Sequence, residues 1–385
     1  MKAAVFSLPK RIKCEDVPDP AIKEPRDAIV RVTSTAICGS DLHIYNGLMP
    51  QLGKMVLGHE FMGVIEDVGA DVTNLKKGDR VVVPFPIACG KCFNCTHKVP
   101  VGCENSNPEK YGVRGGILKD KGGGLFGYTD LYGGYDGGQA EAVRVPYADY
   151  GCRVVPESLS DDQALFLTDI LPTGWAGNDW ANAGEGDTVA VFGCGPVGLM
   201  AQKCAWHRGA ECVIGIDVVP YRLAMAREAC GSETIDANDR DAIDGVLEAT
   251  GGHGADVCID AVGMEPDRGL GAMAKAAAHL ERGSIKVLNQ ALASVRRGGR
   301  VSVLGVYGTA YDNFPLGQWM DKGIQVTAGQ APVHNYIDEL MTLVADGKIV
   351  TDDIITHHLP LEDVDKGYDI FNSKKDDCVK VVLRP

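Results

Sequence analysis

The chain has 385 residues, of which 45% are hydrophobic and 23% charged, a balance that supports a buried core and excludes wholesale disorder. Its 38 basic and 52 acidic residues give a formal charge of −14, which argues against nucleic acid or an anionic membrane as partner, since either is met by a clustered positive face. No run approaches the roughly 18 to 20 apolar residues that span a bilayer, and the N-terminus reaches Pro9 without a signal-peptide core, so a cytoplasmic protein is expected.

The length predicts two domains, one from residues 1–170 and 330–385 and one from 171–329. Short β-like runs at 28–32, 63–68 and 80–83, punctuated by Gly, Pro and Asp, predict an irregular, mostly β first domain. Eleven of the 27 residues at 112–138 are glycine, too many for a long helix or central strand, so a loop is expected there. From Asp161 a helical stretch runs through Trp180. A strand at 188–192, a helix through Arg208 and a strand at 211–217 then form a unit that requires a right-handed crossover and a parallel sheet. Further strands at 255–260, 300–305 and 324–329 extend this to a doubly wound α/β fold, and a helix near 336–344 follows.

Thirteen cysteines, an odd number, read as metal ligands and buried thiols rather than a disulfide scaffold. Cys89, Cys92, Cys95 and Cys103 place four thiolates within fifteen residues, and two-residue gaps let one loop wrap a single ion. A zinc closed off by four thiolates has no open position, so this site predicts structure rather than chemistry. Cys38, His59 and Glu60 offer a thiolate, an imidazole and a carboxylate at loop positions of the β domain, a set suited to a catalytic zinc that keeps one exchangeable position. Gly193, Gly195 and Gly198 follow the strand ending at Phe192 and open a helix at Pro196 and Val197. Such glycines make the tight turn, admit a pyrophosphate to the helix N-terminus and pack helix on strand. Asp217 closes the next strand, where a carboxylate accepts hydrogen bonds from an adenosine ribose and repels a 2′-phosphate, favouring NAD over NADP. Arg222 lies close behind it, able to stack on adenine or to offset that repulsion.

In type and order these motifs resemble those of the zinc-containing medium-chain alcohol dehydrogenases, over nearly the whole chain. The segments 138–142, 145–149 and 168–174, with an extra stretch at 264–290, are most similar to the glutathione-independent formaldehyde dehydrogenases. The resemblance implies a GroES-like catalytic domain beside a Rossmann domain. It implies two zincs per subunit and NAD, a small alcohol or aldehyde as substrate, and a dimer or tetramer. Cys38 and His59 become ligands of the catalytic zinc, and Ser40 and His43 a proton relay. Glu60 sits beside the metal, while Val262, Gly305 and Val306 line the nicotinamide half of the cofactor site. Many family members carry a third ligand Cys just before the nucleotide domain, where this chain has Asp169. Either Asp169 or Glu60 can complete the set, or Asp169 can cap the following helix, with Asp169 as ligand the preferred reading. The implied reaction oxidises hydrated formaldehyde to formate, with the 264–290 segment retaining the cofactor. A broader alcohol, polyol or threonine dehydrogenase is the alternative, and a non-catalytic nucleotide sensor a more distant one.

Overall fold

A computed structural model describes residues 1–51, 53–107, 122–264, 284–308, 311 and 314–385. Part of the glycine-rich stretch at 112–138 and most of the segment at 264–290 lie outside the described residues. The chain divides into two compact units, Met1–Pro172 with Pro332–Pro385, and Thr173–Ala331.

In the first unit the strands are β1 (Lys2–Leu8), β2 (Arg11–Asp16), β3 (Ala28–Ile37), β4 (Met55–Val56), β5 (Glu60–Val68), β6 (Arg80–Val83), β7 (Pro86–Ile87), β8 (Gly124–Leu125), β9 (Ala142–Val145) and β10 (Arg153–Val154). Val30, Val32, Phe61, Ile65, Val81, Val83 and Val143 form its core, with Phe61 edge-on to Phe126 at 5.2 Å. Burying each such side chain contributes about 1.5–3 kcal/mol.

The second unit carries β11 (Thr188–Phe192), β12 (Cys212–Asp217), β13 (Glu233–Asp236), β14 (Ala255–Asp260), β15 (Val295–Val303) and β16 (Gln325–Ala328). They form one parallel sheet in the order β13-β12-β11-β14-β15-β16, the doubly wound Rossmann arrangement. Alternate residues feed two separate cores. Ala190, Phe192, Ile214 and Ile216 face one, and Val189, Val191, Val213 and Val257 the other, because helices cover both faces of a parallel sheet. The edge strand β13 has no counterpart among the sequence-predicted strands; only four residues long and half exposed, it lacks a strong apolar signal.

The C-terminal strands β17 (His357–Pro360) and β18 (Val381–Arg384) join the first unit's main sheet, ordered β10-β6-β5-β3-β18-β17 with β9 also paired to β3. Two registers matter for the site. β3 pairs antiparallel with β5 so that Ala36 faces Glu60, and with β18 so that Ile37 faces Val381. One end of three neighbouring strands thus gathers residues 37–38, 59–60 and 380.

The helical stretch expected over 161–180 is interrupted. Asp161–Leu165, capped by Ser160 with Gln163 reciprocating, passes into a 3₁₀ turn at Phe166–Thr168, and a new helix spans Ile170–Trp180. Pro172 explains the break: in a continuous helix its ring would collide with the Thr168 carbonyl, which instead accepts the Phe85 amide at 3.0 Å. Asp169, at the break, has φ −153° and ψ −76°.

Candidate active site and metal centres

The four lobe cysteines converge, all four sulfurs lying within 4.8 Å of one another. Cys89 Sγ is 4.0 Å from Cys95 Sγ, and Cys92 Sγ is 3.9 Å from Cys103 Sγ. A zinc with bonds of about 2.3 Å needs tetrahedral edges of about 3.8 Å, so the cluster fits that ion. Burial works against the Cys89 thiolate, but the Lys91 amide, the Asn105 side chain and the Cys92 amide outweigh it and lower its pKa to about 7. All thirteen cysteines are free thiols.

The second convergence joins Cys38, His59, Glu60 and Asp169, again with donor atoms within 4.8 Å and every residue buried. Asp169 Oδ2 lies 3.2 Å from His59 Nε2 and accepts from the Cys38 thiol at 3.5 Å. The break in the helix aims this carboxylate at the cluster. Burial, with Glu60 and Asp169 nearby, pushes the Cys38 thiol up to about 11. A thiol, an imidazole and two carboxylates packed together in a dry site suit a divalent cation, which converts their mutual repulsion into ligation. Ser40 Oγ is 3.2 Å from His59 Nε2. The His43 ring, on the short helix Asp41–Tyr45, has a buried Nδ1 without a hydrogen-bond partner among the described residues, and burial lowers its pKa to about 4.

Several supporting residues surround this set. Asp41 Oδ1 sits 3.0 Å from His59 Nδ1, and its other oxygen accepts from the Cys38 amide at 3.0 Å and from Gln139 Nε2 at 3.2 Å. Tyr368, wholly buried, donates to Gln139 Oε1 at 2.9 Å. Gly58, with φ +100°, must be glycine, because a Cβ there would lie 2.4 Å from Gln139 Cγ. Lys380 Nζ reaches Glu60 Oε1 at 2.7 Å.

In the Rossmann unit Gly193 has φ +96°, and a Cβ on Gly198 would fall 1.8 Å from the Gly193 carbonyl oxygen. The helix Pro196–His207 begins with Gly195 as N-cap and Pro196 and Val197 as its first residues, and Gly195 offers no side chain to cap its first amides. That bare N-terminus over a glycine turn suits a pyrophosphate. Val262 borders Gly193, and Gly263 packs so tightly on Gly305 that a Cβ on Gly305 would lie 2.1 Å from the Gly263 amide. The Met264 amide donates to the Val306 carbonyl at 2.9 Å. The structure therefore brings the glycine turn, Val262, Gly305 and Val306 together. Asp217 takes the Cys194 amide at 2.7 Å on one oxygen and the Val218 and Val219 amides on the other. Arg222 extends to within 3.7 Å of where a Gly195 Cβ would stand.

Comparison with known proteins follows the same division. Residues 24–156 match the alcohol dehydrogenase GroES-like domain, and residues 196–279 match the zinc-binding dehydrogenase family. A zinc-type alcohol dehydrogenase-like protein of Bacillus subtilis is 44% identical over the whole of both chains. The chain belongs to the zinc-dependent medium-chain alcohol dehydrogenases. The solved alcohol dehydrogenase TADH from Thermus sp. ATN1 superposes with a TM-score of 0.85 at 37% identity, covering 100% of this chain and 99% of that one. A glutathione-independent formaldehyde dehydrogenase of Pseudomonas aeruginosa is 34% identical across 97% of this chain and 95% of its own.

This alcohol dehydrogenase contains groups that reading its sequence did not single out. Asp41 was detectable, as it stands between Ser40 and His43 within reach of either ligand. Lys380 carried a fainter signal, a lone cation in the apolar run Val379, Val381 and Val382. Phe85, whose ring lies 6.0 Å from that of His59, carried none.

Proposed function

We propose that this enzyme oxidises small alcohols and hydrated aldehydes with NAD, with hydrated formaldehyde as its preferred substrate and no requirement for glutathione. The observation that carries this reading is the buried cluster of Cys38, His59, Glu60 and Asp169 donors within 4.8 Å of one another. Cys38, His59 and Asp169 hold the catalytic zinc, Glu60 stands beside it under the control of Lys380, and Cys89, Cys92, Cys95 and Cys103 hold the structural zinc. When bound, zinc supplies Lewis acidity to the substrate oxygen and NAD supplies the hydride acceptor. Ser40 takes the substrate proton and His43, neutral at physiological pH, passes it toward solvent. Gly193, Gly195 and Gly198 admit the pyrophosphate, Asp217 binds the ribose and disfavours a 2′-phosphate, Arg222 lies against the adenine, and Val262, Gly305 and Val306 contact the nicotinamide.

The likeness to the Pseudomonas aeruginosa formaldehyde dehydrogenase supports the substrate, and the thirteen free thiols support a cytoplasmic location. A homo-oligomer, dimer or tetramer, follows the family resemblance, and light scattering after gel filtration tests it. The domain division at about residues 170 and 330 is supported by the two compact units. For the activity, NAD and NADP reduction are followed with formaldehyde with and without glutathione, ethanol, sorbitol and threonine, alongside zinc content. NAD reduction by formaldehyde independent of glutathione is expected. Turnover confined to sorbitol or threonine overturns the substrate, and absence of turnover in zinc-loaded protein overturns the function.

A further inference from the structure

Tyr128 is 5% exposed, and its hydroxyl has no hydrogen-bond partner among the described residues. Its ring meets the His59 ring at 6.2 Å and 88°, while Phe85 meets the same imidazole at 6.0 Å and 72°. The two aromatics thus flank one of the metal donors, but only one of them ends in a polar atom. Burial raises the Tyr128 pKa strongly, with the neighbouring Tyr132 phenol adding to the rise and the charges of His59, Asp41 and Cys38 also acting on it. A buried hydroxyl left unpaired destabilises the ligand-free protein, and such a group calls for an explanation. Among the described residues, buried hydroxyls without partners also occur at Ser34 and Thr129 in the same unit and at Ser232, Ser294 and Ser302 in the other; Tyr128 is set apart by the contact of its ring with His59.

We propose that Tyr128 is a specificity-determining residue that hydrogen-bonds a second hydroxyl of the substrate. The inference rests on the dehydrogenase reading above. A simple alcohol brings one oxygen, which Ser40 and a bound zinc would engage, and offers Tyr128 no second hydroxyl. A hydrated aldehyde carries a second hydroxyl on the reacting carbon, and a vicinal diol carries one on its neighbour. For the hydrate the C–H bond breaks with its electron pair passing to NAD⁺, and one O–H bond releases its proton. A C=O bond forms, so R–CH(OH)₂ and NAD⁺ give R–COOH, NADH and H⁺. The retained hydroxyl is the one Tyr128 holds throughout.

The test compares zinc-loaded wild type and Tyr128→Phe with formaldehyde hydrate, ethane-1,2-diol and ethanol at saturating NAD. The kcat/KM of each two-oxygen substrate is expressed relative to that of ethanol. The ratio is expected to fall about 10- to 100-fold in the variant for at least one of them, as the loss of one buried hydrogen bond implies. A fall confined to formaldehyde places the second hydroxyl on the reacting carbon, and a fall confined to the diol places it on the neighbouring carbon. Thermal unfolding of the substrate-free variant is expected to occur at the same or a higher temperature, because an unpaired hydroxyl has been removed. Unchanged ratios, or a lowered unfolding temperature with a uniform loss on all substrates, overturn the proposal while leaving the dehydrogenase reading intact. A wild type that oxidises ethanol but neither two-oxygen substrate does the same. A zinc-loaded wild type inactive on all three overturns both.

Discussion

Lys380 Nζ lies 2.7 Å from Glu60 Oε1, and neither side chain is exposed to solvent. The lysine also donates to the Ile37 carbonyl at 3.1 Å, whereas Glu60 Oε2 has no hydrogen-bond partner among the described residues. Burial raises the Glu60 pKa and Lys380 opposes that rise; burial acts to lower the Lys380 pKa, but Glu60, Cys38 and Asp169 together raise it. One oxygen of Glu60 is thus held by Lys380, and the carboxylate belongs to the donor cluster.

Removing the cation leaves a carboxylate uncompensated in a dry site. Lys380→Met is expected to cost about 3–5 kcal/mol, read as a lowered urea midpoint, and Lys380→Met with Glu60→Gln should recover much of it. A double variant no more stable than the single would show that the pair does not act as a unit.

His59 is held by Asp41, and Asp41 by Gln139 and through it Tyr368. A carboxylate beside one ring nitrogen, here 3.0 Å away, favours the tautomer that presents the other nitrogen to a metal. Asp41→Asn is expected to weaken zinc binding at the open site about 10- to 100-fold, with Tyr368→Phe giving a smaller change of the same sign. Competition against a chelator measures both, and equal affinities in wild type and Asp41→Asn would contradict the tautomer argument.

The two metal sites should part company on zinc removal. Loss of an ion from the Cys38, His59, Glu60 and Asp169 cluster is expected to abolish turnover and to lower the unfolding temperature less than loss from the lobe does. Loss of the ion from the cysteine lobe should lower that temperature, since a four-thiolate zinc contributes folding energy directly. Stepwise chelation followed by calorimetry separates them. A Cys92→Ser protein that keeps two zincs and its full unfolding temperature would remove the lobe from this account.

Much of the two donor clusters and of the glycine turn was legible because metal and nucleotide chemistry impose local spacing. Cys89 to Cys103 and Gly193 to Gly198 each sit on one loop, and residue type with spacing was enough to find them. Asp169 required more, since its carboxylate points at His59 only because Pro172 interrupts the helix, a conflict present in the sequence but read there as continuous helix. Lys380 was harder still. Its place beside Glu60 depends on β18 pairing with β3, a contact across more than three hundred residues that no local pattern encodes. Tyr128 stood out in the sequence only as part of a glycine-rich stretch, and its lack of a partner is a property of packing alone.

Asp217 accepts the Val218 and Val219 amides of the turn after β12 and the Cys194 amide of the glycine turn after β11, and in the proposed complex it also meets the ribose. Asp217→Ser is expected to raise the KM for NAD and reduce the preference for NAD over NADP on the order of 10-fold, because the repulsion of a 2′-phosphate is lost. Initial rates with both cofactors measure this. A preference that survives the substitution would transfer discrimination to another group.

His334 provides a pH test at a residue that is not itself a metal donor, although its ring partner Tyr150 packs against the cysteine lobe. It is 6% exposed, stacked on Tyr150 at 5.0 Å and 11°, and neither ring nitrogen has a hydrogen-bond partner among the described residues. Burial, with Arg153 adding repulsion, lowers its pKa to about 3. Above about pH 6.5 the imidazole is neutral in both folded and unfolded chains and stability is unaffected. Below it the unfolded chain binds a proton that the folded chain does not, so stability falls until the folded group titrates near pH 3. By pH 5 the loss from this residue amounts to about 2 kcal/mol. His334→Phe, which keeps the stack and removes the titration, is expected to flatten the slope of unfolding free energy between pH 6.5 and 4 relative to wild type. Parallel slopes for the two proteins would show that acid lability arises elsewhere.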